Sequence, residues 1–116
     1  MEINMNEAIG IVEMFGFVTA ITAADAAAKA ADVKVIAIDS NKPANADVDV
    51  PLIMAIKVQG EVSAVKAAVD AAVDAANSVS GVICSHVISG PTDDAQTMAQ
   101  RSSVGRDIVG QIKNNA

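Results

Sequence analysis

The sequence predicts an α+β fold of ferredoxin-like type: βαββαβ, a four-stranded antiparallel sheet with two helices on one face, and a C-terminal helical tail. Three observations predict it. Short β-branched runs alternate with alanine-rich stretches of helical period. The chain divides into two similar halves, each strand, glycine-containing turn, helix and strand. A polar, proline-bearing segment separates the halves.

Glu7–Met14 (EAIGIVEM) reads as the first strand. Gly16–Asp32 (GFVTAITAADAAAKAAD) reads as a helix, with Phe17, Ile21, Ala24, Ala28 and Ala31 at three- and four-residue steps on one face. Asp25 and Lys29 stand in the favourable i,i+4 order on the solvent side. Val33–Asp39 (VKVIAID) is the second strand, and Ser40–Asp49 (SNKPANADVD) is a loop rich in turn formers. Val50–Val58 is the third strand, with Pro51 tolerable at its start. Gly60–Ser78 is the second helix, its apolar face made by Val62, Val65, Val69, Ala72, Val73 and Ala76. Gly81–Ile88 (GVICSHVI) is the fourth strand. The more polar stretch 92–116 reads as an extension, helical or partly disordered, packed loosely on the domain of residues 1–91 or frayed. Asp93 and Asp94 suit a helix start there, and Val104, Ile108, Val109 and Ile112 mark a second amphipathic stretch.

At 116 residues the chain is one domain. Hydrophobic residues make up 52% and aromatics only 2%, so the core is built from Val, Ile and Ala. So apolar a surface-rich domain points to further burial between copies. A net charge of −6 and the scarcity of stacking residues argue against nucleic acid. No apolar run approaches the ~20 residues of a bilayer span. The opening MEINMNEAIG lacks a signal-peptide layout, and a lone Cys84 suits a reducing compartment, so the expectation is cytoplasmic.

No catalytic set converges. Cys84 and His86 lie two apart on a strand and share a face, but no third orienting group accompanies them. Paired thiols for a metal, a phosphate loop and a dinucleotide fingerprint are all missing, so neither metal nor cofactor is expected.

Three stretches carry a resemblance. EAIGIVEMFGFVTAITAADAAAKAADVKVIAID, then VQGEVSAVKAAVDAAVDAA, then SHVISGP, resemble the hexameric shell proteins of bacterial microcompartments (the BMC domain) over Glu7–Pro91. The resemblance implies a homohexameric tile with a central pore for small metabolites, joined to other shell proteins around enclosed enzymes. It implies no catalysis, no nucleic acid and no membrane. By the same resemblance Lys29 matches the family's lysine at the hexamer edge. Ser89 and Gly90 stand where the family pattern has a proline and an edge-binding arginine. The loop from Asp39 through Ser40, Asn41, Lys42, Asp47 and Asp49 occupies the place of the family's short glycine-rich pore turn. It is longer and has no glycine, so it could splay, occlude the opening or break sixfold symmetry. Repeated around a ring, Asp47 and Asp49 would make a negative rim that Lys42 partly offsets. An unusual central loop also resembles shell proteins of glycyl-radical-enzyme compartments. Relatives with an iron–sulfur cluster hold it through loop cysteines; this loop has none, so no cluster is expected. The alternative reading is a trimeric ferredoxin-like regulator that senses a small molecule, with the long loop as its partner-binding arm.

Overall fold

The computed structural model describes residues 7–41 and 52–101. Its elements are β1 (Ala8–Phe15), α1 (Phe17–Ala30), β2 (Lys34–Asn41), β3 (Ile53–Gly60), α2 (Val62–Asn77), β4 (Val82–Ile88) and α3 (Asp93–Ala99). The strands lie in the order β2-β3-β1-β4, and every neighbouring pair is antiparallel. This is the predicted plan, with boundaries shifted by a few residues. β2 continues through Ser40 and Asn41, so the loop begins later than its composition suggests. Val50 and Pro51 lie outside the described residues, and β3 starts at Ile53.

Alternation along β1 sorts the two faces of the sheet. Ala8, Gly10, Val12 and Met14 face the helices, where Val12 and Met14 are buried. Gly10 is required there: a Cβ would sit 2.6 Å from Val69 Cγ2 and 2.8 Å from Val65 Cγ1 of α2. Its missing side chain lets the valines of α2 settle onto the backbone. Met54, Ile56 and Val58 of β3 complete this layer.

The alanine-rich helices pack chiefly on each other, the most extensive pairing of a helix with any element. Ala20, Ala23 and Ala27 of α1 and Ala68, Ala72 and Ala76 of α2 are fully buried. Each contributes only a methyl, roughly 0.8 kcal/mol of transfer free energy, but small side chains allow close approach and dense contact. α2 buries most of the face predicted for it, with Val73 half-buried and Val62 exposed.

In α1 the predicted face is corrected in part: Ala24 is buried and Ala31 packs against the core as expected, but Phe17, Ile21 and Ala28 do not face it. Thr19, Ala20, Ala23, Ala24 and Ala27 turn inward, while Phe17, Ile21 and Ala28 turn out. A periodicity weighted towards large apolar residues selects the outer face, because the inner one is built from alanine.

Turns close by backbone geometry. Gly16, at φ 93°, breaks β1 from α1 in a conformation that favours glycine. After α2 the N–H groups of Val79, Ser80 and Gly81 converge on the Ala76 carbonyl at 2.9–3.1 Å, and Gly81, at φ 127°, turns the chain into β4.

Candidate functional site

Three surfaces bear residues that the fold itself does not consume. The first is an apolar corner at the start of α1. Phe17, Val18 and Ile21 are 41%, 73% and 46% exposed, and Leu52 and Val79 lie exposed beside the same turns. The corner is fixed beneath. Gly16 N–H donates to Leu52 O at 2.9 Å, and Phe15 N–H donates to Gly81 O at 3.3 Å. The Ser80 hydroxyl donates to Phe15 O, so its oxygen accepts from the buried Thr19 hydroxyl at 2.7 Å. Large apolar side chains on so rigid a base form a preorganised contact surface.

The far end of α1 is charged. Lys29 Nζ meets Asp25 Oδ2 at 2.7 Å, the i,i+4 pair expected, and both side chains are well exposed. Such a pair adds only a few tenths of a kcal/mol to the helix. Lys29 therefore stands as an accessible cation at the helix end remote from the apolar corner.

The third surface is the sheet face turned away from α1 and α2. The strand registers place Ile9, Ile11, Glu13 and Phe15 opposite Gln59, Lys57, Ala55 and Ile53 there, with Ile88, His86 and Cys84 on the other flank. Asp39 of β2 is half-buried on this face and forms an ion pair with Lys57. Lys57 Nζ also donates to Arg101 O at 3.1 Å. Cys84 Sγ points its proton at Glu13 Oε1, 3.9 Å away. Burial, then the Glu13 charge and its hydrogen bond, push the Cys84 thiol up from its ordinary value. That is the reverse of an activated nucleophile. Among the described residues no group of His, Cys, Asp and Glu side chains is arranged to hold a metal ion.

α3 lies over part of this face. Its cap is Thr92, whose hydroxyl accepts from Ala95 N–H at 3.2 Å, and Asp93 and Asp94 occupy its first turn. Gln96 is fully buried, accepting from Gln59 Nε2 at 2.8 Å and donating to Glu7 O at 3.1 Å.

Of the residues singled out from sequence, Asp39, Ser40 and Asn41 belong to β2, and Lys42, Asp47 and Asp49 lie outside the described residues. Ser89 and Gly90 are exposed just beyond β4, and a Cβ on Gly90 would meet nothing within 4 Å. The structure adds Phe17, Val18, Lys57, Gln59 and Gln96. A signal existed for Gln59, which with Lys57 is one of two polar side chains in an otherwise apolar central strand. Gln96 carried none, flanked by Ala95 and Thr97 in a stretch that is mostly polar or small.

This architecture has known counterparts. The chain is similar to a microcompartments protein from Desulfitobacterium hafniense DCB, at 26% identity over 84% of this chain and 51% of that one, with a TM-score of 0.66. EtuB from Clostridium kluyveri is 27% identical over 74% of this chain and 38% of its own, with a TM-score of 0.44. The chain thus spans about half the length of the first of these proteins. No helix among the described residues is long and apolar enough to cross a membrane. A model of the BMC domain matches residues 8–91, most of the chain, and on that match the protein belongs to the BMC domain family of bacterial microcompartment shell proteins, a structural and not a catalytic family.

Proposed function

We propose that this protein is a structural tile of a bacterial microcompartment shell, assembling as a homohexamer beside other shell proteins around enclosed enzymes in the bacterial cytoplasm. The observation that carries the reading, beside the family match, is the polarity of α1. Its first turns present Phe17, Val18 and Ile21 outward from a rigid base, and its last turn presents Lys29. An apolar end suits the tight, permanent contact between protomers of one ring. An exposed lysine at the opposite end suits the weaker contact between tiles, which Lys29 carries without the edge arginine, since Ser89 and Gly90 stand where the family pattern has its proline and arginine. The family match lends the small-molecule regulator no support.

If the ring encloses a pore, its lining falls to the loop carrying Lys42, Asp47 and Asp49. Asp39 contributes little to that field, because Lys57 offsets its charge at the root of the loop. Asp47 and Asp49 then set a cation-favouring sign.

Native mass spectrometry at moderate salt tests the assembly. From a protomer of 11.8 kDa, a closed hexamer falls near ~71 kDa, and a trimer, at ~35 kDa, would reject the tile. Ile21→Asp places a charge on the apolar corner and is expected to shift the population to protomers with the circular dichroism of the fold unchanged. Intact rings in that variant would remove the corner from the protomer contact.

A further inference from the structure

The covering of the open sheet face is uneven. Along β1 the residues on this face are Ile9, Ile11, Glu13 and Phe15, and of these only Ile9 is fully buried. Ile9 pairs in register with Gln59, the residue whose amide is held by Gln96 of α3. Ile9 and Gln59 are thus buried together at the end of the face where α3 is held.

α3 is a seven-residue helix. A helix that short has no stability of its own in water and persists only where tertiary contacts hold it. Among the described residues those contacts include the Gln59–Gln96 amide pair, Gln96 to the Glu7 carbonyl, the buried Ala99, and Lys57 to the Arg101 carbonyl. The segment joins the body through Ser89 and Gly90, both exposed, and Gly90 has open space around it. Gly90 widens the backbone conformations open to the joint, within the restriction that the following Pro91 places on it.

We infer that α3 is a hinged strap, latched over the open sheet face by the Gln59–Gln96 amide pair and turning about Ser89–Gly90. Closed, the strap covers Ile9 and places the Arg101 carbonyl on Lys57. Open, it bares Ile9 and Gln59 and leaves the Lys57 ammonium held by Asp39 at the end of β2. Lys57 is thus shared between the strap and the strand that leads into the central loop, so the state of one is felt at the root of the other. The inference rests on this geometry within one protomer.

Hydrogen exchange of the full chain read by mass spectrometry, with amine acetylation as a second probe, tests it. The Gln96 and Gln100 amides, bonded to Thr92 O and Gln96 O, are expected to exchange at least about tenfold faster than those of β1 and β3, opening together as one unit. Acetylation of Lys57, slow in the wild type, is expected to rise at least about tenfold in Gln96→Ala, because losing a buried amide's partner shifts the latch by that much or more. Lys29, exposed in both states, is the internal control. Exchange of α3 in step with β1, or unchanged Lys57 labelling in Gln96→Ala, overturns the strap. The wild-type exchange result stands whether or not the variant folds, and neither readout depends on ring formation.

Discussion

The two faces of one sheet follow different rules. The face under α1 and α2 is a close-packed layer of Met, Val, Ile and Ala, with a glycine where even a methyl is too much. The face opposite carries Asp39, Lys57, Gln59, Glu13, Cys84 and His86 among a few aliphatic residues, and a short helix held by amides covers part of it. Apolar packing is non-directional and tolerates no gaps, so the first face defines the fold. Polar pairs are directional and weak in net terms, so the second can be edited without loss of the fold. Substitution should separate the two.

The largest effect is expected at Ile56, on the helix side of the central strand β3 and 1% exposed. Ile56→Ala removes buried methylenes and leaves a cavity, at about 2–5 kcal/mol. Ile11→Ala, on the opposite face of the neighbouring strand and half-buried, should cost about 1 kcal/mol. Urea denaturation of both variants measures the difference, and equal losses would mean that both faces act as core.

Gly10→Ala comes next. The added methyl collides with Val65 and Val69, whose χ1 freedom in a helix is narrow, so strain of about 1–3 kcal/mol is expected. Val69→Ala in the same chain should recover part of that loss, since it removes the nearer of the two clashing groups. A double mutant no better than additive would show that the strain lies elsewhere.

The same contrast governs what could be read in advance. The order of strands and helices along the chain and most of the α2 face follow from periodicity, because apolar burial is written as spacing. The inner face of α1 does not, because its alanines carry less hydrophobic weight than the outward Phe17 and Ile21. The large apolar residues on the outer side of this alanine-packed helix are the surface that the proposed protomer contact uses. The open face was less legible still. The sequence places Asp39 only at the start of the central loop, and it takes the pairing of β2 with β3 to set Lys57 beside it; nothing local separates Gln96 from the polar residues around it. Pairings of that kind depend on which strands become adjacent, and sequence spacing does not carry that information.

The smallest effect isolates one such pair. Burial, then the charge and hydrogen bond of Glu13, hold the Cys84 proton in place. A raised acid binds its proton more tightly folded than unfolded, so the pair's contribution is present below the free thiol's value and stability falls as pH rises through it. Glu13→Gln removes the charge but leaves the partial burial. The thiol should therefore move back towards its ordinary value without reaching it, and iodoacetamide should alkylate Cys84 a few-fold faster at pH 8, with little change in global stability. The mutation sits on the open face, so its consequence should stay local to β1 and β4. A loss of stability comparable to that of Ile56→Ala would mean that the polar face is as strictly packed as the apolar one, and the contrast between the two faces would fail.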